Sequence, residues 1–358
     1  MKEKIKCGVL GAGWWATFAH IPALLSHPHA QLIAIQKSDR EQGRKVADHF
    51  GVPHSCTTTD ELLAIEGIEA VVVSSSPHLH FSQAKAALEA GKHVLIEKPM
   101  TFTAAEAWQL HDLAEKRNLQ FLISCPWHYT SHAAASQQLI RDGKLGALRM
   151  ISVLMTNPVS RLIRGEDTVP THNGEAPYLQ PQAGTYSNPA IAGGGQIYAQ
   201  VCHVAAYLSF LTGMPASDVF ARFHDDGAKL DIYDVLNIRM EDGTLAMIAS
   251  TGATSRDLRT YEVRLFGTEG LLYLDLWGGT MEFTSMSGQV EAYPPLPPDE
   301  IYPHRAPAIN LIDSIVDPSC NRSPAWLGVA AMEIIEAACI SAKNGKNVLI
   351  PSLTEQCV

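Results

Sequence analysis

The run Gly11-Ala12-Gly13-Trp14-Trp15-Ala16 directly follows an apolar segment at residues 7–10 and opens a helical stretch. It is the G-x-G-x-x-G/A pattern in the strand-turn-helix setting that gives it meaning. The first glycine makes a tight turn, the second lets backbone approach a pyrophosphate, and the small Ala16 lets helix pack closely on strand. Free N–H groups and the dipole at the start of the helix favour the anion. The chemistry implied is dinucleotide binding.

About twenty residues on, residues 35–40 read Ile-Gln-Lys-Ser-Asp-Arg. A carboxylate at this point hydrogen-bonds the ribose hydroxyls of NAD and repels the extra phosphate of NADP. The position falls instead on Lys37, with Ser38 beside it, and a cation and a hydroxyl attract that phosphate. NADP(H) is favoured. NAD(H) is the alternative, with Lys37 solvated and Asp39 on the ribose.

Glu97-Lys98-Pro99 stands where a fourth strand would end. In a doubly wound sheet the carboxyl ends of strands line the ligand crevice, so Lys98 would face a nicotinamide. The bond before Pro99 is a candidate cis peptide, which would aim the lysine differently from a helix start. Spacing alone also allows an ordinary surface lysine.

These residues need a scaffold, and the pattern around them supplies one. Between residues 5 and 123, short β-branched runs at 7–10, 31–35, 70–74, 93–96 and 120–123 alternate with helical stretches at 40–50, 81–90 and 104–116. That alternation is the mark of parallel βαβ units. From residue 125 the texture changes to a helix ending near 142, a strand at 148–155 and a Pro/Gly-rich loop over 157–193. A helix follows. Strand candidates at 218–223, 233–240, 245–251, 261–266, 271–276 and 282–285 then read as an antiparallel sheet, with turn chemistry between them. Helices at 307–316 and 326–343 close the chain. At 358 residues two domains are expected, 1–124 for the dinucleotide and 125–358 for substrate and oligomerisation, with the final helices at 304–345 packing back.

Composition excludes several classes. With 46% apolar and 18% charged residues the chain can bury a sizeable core. A formal net charge of −10 without a dense basic cluster argues against nucleic acid and membrane partners. The N-terminal residues carry no signal-peptide core and no stretch reaches a membrane span, so a cytoplasmic location is expected. The seven cysteines, at 7, 56, 125, 202, 320, 339 and 357, are dispersed and contain no C-x-x-C pair, which fits reduced thiols and no zinc knuckle. No His, Asp and Glu grouping has metal spacing, so no metal is expected.

Gly11-Ala12-Gly13, Ser76-Pro77-x-x-His80, Ala87-Leu88-x-Ala90-Gly91-Lys92-His93-Val94, Glu97-Lys98-Pro99 and Gly267-Thr268-Glu269-Gly270 together resemble the Gfo/Idh/MocA family of dehydrogenases. The resemblance runs in order along essentially the whole chain, and the Glu-Lys-Pro block is specific to that family. It implies an α/β fold: an N-terminal Rossmann domain on a parallel sheet, then a C-terminal α/β domain with an open, mostly antiparallel sheet. It implies association through that sheet as a homodimer or homotetramer, and substrates that are sugars, cyclitols or related small polyols. Trp14, Trp15, Ser75, Ser76, Pro77, His80, Glu97 and Lys98 are then expected to join Gly11 and Gly13 around the cofactor.

The family's second signature, G-G-G-x-x-x-D-x-G-x-H, reads here Gly193-Gly194-Gly195-Gln196-Ile197-Tyr198-Ala199-Gln200-Val201-Cys202-His203. His203 is in place, whereas Ala199 replaces the Asp and Val201 the following Gly. On a regular helix Gln196, Gln200 and His203 share one face, so two amides would stand in for the carboxylate toward sugar hydroxyls. Trp127, His128 and Tyr129 lie just past the last Rossmann strand and would present an apolar wall with a polar rim, or form a domain junction. The roles implied are general acid-base for His203 and a hydrogen bond from Lys98 to the reacting oxygen. Two other readings stay open: an NAD-dependent redox-assisted glycosidase or lyase, and a non-catalytic dinucleotide-binding sensor or corepressor.

Overall fold

The computed structural model describes residues 4–166 and 177–351. Its first sheet is built from β1 (Ile5–Leu10), β2 (Ala30–Gln36), β3 (His54–Cys56), β4 (Ala70–Val73), β5 (His93–Ile96) and β6 (Phe121–Ile123). All neighbours pair in parallel, in the order β3-β2-β1-β4-β5-β6. Strands buried on both faces read as continuous apolar runs, and all four residues of Ala70–Val73 are buried. The order reverses between β1 and β4, which opens a crevice at their carboxyl ends.

The crossovers are α1 (Ile21–Ser26), α2 (Arg40–Phe50), α3 (Thr59–Leu63), α4 (His80–Glu89) and α5 (Ala104–Lys116). Capping fixes where several of them start. Asp39 accepts the N–H of Gln42 at the head of α2, and Thr103 with Glu106 forms a capping box on α5. The short pair β3 and α3 is additional to the pattern read from the sequence. With two of its three residues exposed, β3 carries almost no apolar signal.

Beyond Ile123 come α6 (Ser131–Arg141), β7 (Leu148–Thr156), α7 (Ser160–Ile163), α8 (Ala183–Ser187), α9 (Pro189–Ala192) and α10 (Cys202–Thr212). The rest of the second sheet follows as β8 (Ala216–His224), β9 (Tyr233–Met240), β10 (Leu245–Thr251), β11 (Thr260–Gly267), β12 (Gly270–Asp275), β13 (Thr280–Ser285) and β14 (Val290–Ala292). Then α11 (Ala306–Val316), α12 (Trp326–Asn344) and β15 (Val348–Leu349) end the described chain. The nine strands run β14-β13-β12-β11-β7-β10-β9-β8-β15. The sheet is mostly antiparallel, as expected, but its central pair β7 and β10 is parallel. Parallel pairing needs a long crossover, and everything between residues 157 and 244 supplies it.

One face of this sheet is closed by α10 and α12. Ten of the eleven residues of α10 are buried, so it is a core helix and not an amphipathic one. The other face is open: Met150, Leu154, Val235, Leu245 and Met247 are all exposed on adjacent strands. Helix α11 returns to the first sheet, where Ala308, Leu311 and Ile312 pack with Val9, Leu24 and Val72. Among the described residues no helix is long and apolar enough to cross a membrane. Of the seven cysteines, Cys357 lies outside the described residues, and the other six are free thiols.

Candidate active site

A cavity of about 1090 Å³ opens at the carboxyl ends of β1, β2, β4 and β5 and continues to the start of α10. That slightly exceeds the roughly 300–1,000 Å³ usual for one ligand, room for a dinucleotide and a small second molecule. Gly11 forms the turn after β1 with φ of +80°, and a Cβ there would lie 2.3 Å from Ser75 backbone. Only glycine fits. At Gly13 a Cβ would meet nothing nearer than 3.9 Å, so its absence leaves the approach to the backbone bare. These features fit a dinucleotide. Trp14 and Trp15 follow on the cavity wall; Trp14 Nε1 donates to Tyr186 Oη (2.9 Å) and Trp15 Nε1 to Glu97 Oε1 (2.8 Å).

Lys37 and Ser38 also line the cavity, at the end of β2. Burial lowers the Lys37 pKa, partly offset by the nearby Asp39. Asp39 lines the same region, but both its oxygens are occupied, one by the Gln42 N–H (2.9 Å) and one by the Gln42 amide (3.2 Å). Its sequence role is therefore first a helix cap.

At the end of β4 stand Ser75, Ser76, Pro77 and His80, all on the cavity wall. The His80 ring spans two carbonyl oxygens, Pro99 O (2.7 Å from Nδ1) and Ser75 O (3.1 Å from Nε2). Two acceptors favour the imidazolium, yet complete burial lowers the pKa overall. The ring ties the turn after β4 to the turn after β5.

Glu97 is the buried anchor of that second turn. Besides Trp15, it accepts from His20 Nε2 (2.9 Å) and from the Lys98 backbone N–H (3.2 Å). Burial pushes its carboxyl up, but the His20 hydrogen bond and charge, Lys98 and Ser124 outweigh that and bring it down to about 2. The Lys98-Pro99 peptide is cis. Lys98 lines the cavity and its Nζ donates to Ala199 O at 2.9 Å.

The Gly-rich entry to α10 is shaped by steric need. Gly193 has φ of +84°, and a Cβ on Gly195 would fall 2.0 Å from Asp231 O. Asp231 then caps the entry, its carboxylate accepting the N–H of Gly195 (2.8 Å) and Ile197 (2.7 Å). Residues Ile197–Val201 form a π-turn before α10 begins. The extra residue breaks the regular spacing on which the shared face of Gln196, Gln200 and His203 depended. Gln200 and His203 line the cavity. Gln196 does not: it is fully buried, and its amide donates to Ser250 Oγ (2.8 Å) and Asn157 Oδ1 (3.2 Å).

His203 is 4% exposed, its Nδ1 has no partner, and the Trp127 ring meets it edge-on at 5.4 Å. Burial first, and then the Lys98 charge, push its pKa well below 6.5. Trp127 lines the cavity, but His128 and Tyr129 do not. They sit on a 3₁₀ turn over Pro126–Tyr129, whose three residues per turn send successive side chains to different sides. His128 stacks on Phe210 at 4.3 Å and donates Nδ1–H to Ser323 Oγ (2.8 Å), whose own proton goes to Ile123 O (2.7 Å). Burial takes its pKa down to about 3, which suits a core histidine. Sequence reading missed Trp277, Tyr302, Arg161, Arg256 and Arg259, all on the wall and all outside recognisable motifs.

Residues 5–124 match the GFO_IDH_MocA profile, described as an oxidoreductase family with NAD-binding Rossmann fold, and residues 133–273 match the GFO/IDH/MocA C-terminal domain. The dTDP-3,4-didehydro-2,6-dideoxy-alpha-D-glucose 3-reductase of Streptomyces antibioticus is 29% identical over 278 residues, 76% of each protein. An uncharacterized oxidoreductase of Synechocystis sp. is 37% identical over 145 residues, 40% of this chain and 39% of that protein, so the chain matches well under half of that relative. Two solved structures superpose with TM-scores of 0.80: GenD2 from gentamicin A biosynthesis with NAD, at 23% identity over 98% of both chains, and levoglucosan dehydrogenase with NADH and levoglucosan, at 18% identity over 98% and 100%. At those identities the likeness is one of fold.

Proposed function

The chain belongs to the Gfo/Idh/MocA family of oxidoreductases, and from that premise we propose that it transfers a hydride between a nicotinamide dinucleotide and a carbinol or carbonyl carbon of a sugar or related polyol. The observation that carries this reading is the meeting of Lys98, from the turn after β5, and His203, from helix α10, on one cavity wall. Lys98 Nζ is anchored 2.9 Å from Ala199 O, one helical turn before His203. When bound, the dinucleotide supplies or takes the hydride. Lys98 keeps N–H groups beyond the one given to Ala199, and these steady negative charge on the reacting oxygen. His203, held neutral, takes the hydroxyl proton during oxidation. Trp127 offers an apolar face to the sugar ring. Glu97, kept ionised by His20, Lys98 and Ser124, positions Lys98 through its backbone.

In this reading residues 1–124 hold the dinucleotide and 125–358 shape the substrate pocket. We favour NADP(H), because Lys37 and Ser38 occupy the place of a ribose-binding acid and Asp39 is engaged as a cap. The test is absorbance of the reduced cofactor with each dinucleotide and a sugar panel. Net accumulation with NADP is expected; product without accumulation, or neither, would overturn net hydride transfer. Lys37→Ala should lower the preference for NADP over NAD by roughly tenfold, the worth of one charge-assisted hydrogen bond. An unchanged ratio of kcat/KM values would return the ribose to NAD.

The open face bearing Met150, Leu154, Val235, Leu245 and Met247 is larger than scattered surface residues explain, and we infer that it joins copies of the chain as a homodimer or homotetramer. Met247→Lys should shift the mass seen by light scattering toward the monomer. Wild-type protein that is already monomeric at micromolar concentration would sink this inference.

A further inference from the structure

We propose that Tyr186, reaching the cavity from outside the Rossmann domain, donates its phenolic proton to the nicotinamide half of the bound dinucleotide, with Trp14 setting its aim. The proposal rests on the dinucleotide site of the hydride-transfer reading and adds to it a contact from beyond residues 1–124. Tyr186 lies on α8, in a strap that passes over the first sheet's crevice. Pro177, Leu179, Gln180, Gln182, Thr185 and Tyr186 all line the same cavity as Gly11, Gly13 and Lys37. Contacts at both ends pin the strap there. Tyr178 stacks on His49 of α2 with ring centroids 4.1 Å apart, and Leu179 packs against the core of the first sheet. At the other end Trp14 Nε1 donates to Tyr186 Oη at 2.9 Å. Residues 177–192 carry no charged side chain, so the strap acts on a ligand through hydrogen bonds and contact alone.

The direction of the Trp14 bond decides what the phenol can do. An indole N–H is a donor only, so Tyr186 Oη accepts from it and keeps its own proton for another acceptor. Burial pushes the phenol up to about 12, with the Trp14 bond opposing and the Glu97 charge reinforcing the rise, so the proton stays in place near neutral pH. Where the acceptor lies follows from Trp14. It is the residue after Gly13, whose bare backbone suits a pyrophosphate, and its ring meets Trp15 edge-on at 5.2 Å. Trp15 Nε1 in turn holds Glu97 at 2.8 Å, beside Lys98. Tyr186 therefore stands over the span between the phosphate-binding turn and the Glu97-Lys98 turn. The nicotinamide half of the dinucleotide has to cross that span to bring its ring to Lys98, and its phosphate and ribose oxygens are acceptors. A hydroxyl already fixed by an indole is pre-aimed for such an oxygen, which lowers the entropy lost on binding.

The test is calorimetric titration of the full chain with NADP and NAD, and with 2′,5′-ADP and AMP, the fragments that lack the nicotinamide half. Tyr186→Phe keeps the ring and removes only the donor. Its Kd for the better-bound dinucleotide should rise roughly tenfold, the worth of one hydrogen bond to a charged group, while the Kd for the matching fragment changes by less than about twofold. Trp14→Phe should weaken dinucleotide binding in the same sense. The double variant should bind no worse than Tyr186→Phe alone, because the indole acts through the phenol. Wild-type dinucleotide affinity in Tyr186→Phe, an equal loss for the fragment, or additive losses in the double variant overturns the proposal. A lowered unfolding midpoint with dinucleotide affinity intact marks a purely structural latch and overturns it too. Tyr186-dependent binding without any sugar-dependent change in cofactor absorbance would count against hydride transfer and leave the contact standing.

Discussion

Replacing Lys98 by alanine is expected to lower kcat by about 10²–10³-fold, the usual cost of removing one donor that faces developing negative charge, while the Kd for dinucleotide changes by no more than about twofold. The separation follows from where the lysine is tied. Its Nζ is held by Ala199 O at 2.9 Å, and its backbone N–H by Glu97 at 3.2 Å. The phosphate-binding turn at Gly11 and Gly13 and the region of Lys37 belong to other strands, so the loss of the ammonium leaves them intact. Lys98→Met is the companion variant, because it keeps the apolar stem while removing the charge. A purely structural lysine would show its loss in unfolding midpoint and dinucleotide affinity, with kcat per folded molecule preserved. Wild-type kcat in both variants would remove Lys98 from the chemistry.

The parts of this site that were legible in the sequence are those where backbone geometry or covalent chemistry forces residue identity. Gly11 cannot carry a side chain beside Ser75, and strands such as Ala70–Val73, buried on both faces, have to be continuously apolar. Helix starts with a side-chain cap, as at Asp39 and Thr103, fall where the pattern puts them. What escaped is what depends on departures from ideal periods. A π-turn over Ile197–Val201 separates Gln196 from Gln200 and His203, and a 3₁₀ turn sends His128 into the core while Trp127 meets the cavity. Neither turn has a residue signature, since each is imposed by packing. The parallel pairing of β7 with β10 escaped for another reason: antiparallel and parallel strands carry the same alternation, and only the crossover decides. Trp277, Tyr302 and the neighbouring Arg256 and Arg259 come from three separate loops whose convergence no spacing encodes.

For His203 the expected result is a pH profile without an inflection at its ordinary value. Burial and the Lys98 charge both disfavour the imidazolium, so the folded pKa lies well below the unperturbed 6.5. A base must be unprotonated to act. In the oxidation direction kcat/KM should therefore stay level as pH falls from about 8 through 6.5, with the acid limb appearing only at lower pH. His203→Asn should cost roughly 10²–10⁴ in kcat/KM, the range for a positioned general base. The cause of the depression can be separated from its consequence in the cofactor-free protein. An NMR titration of the His203 imidazole should give a low pKa in the wild type and a higher one in Lys98→Met, because the substitution removes the nearest like charge and leaves burial in place. A His203 that titrates near 6.5 in the wild type, or whose titration ignores the loss of Lys98, would mean that the imidazole and the ammonium do not share the site, and proton transfer would then have to be assigned elsewhere on the wall.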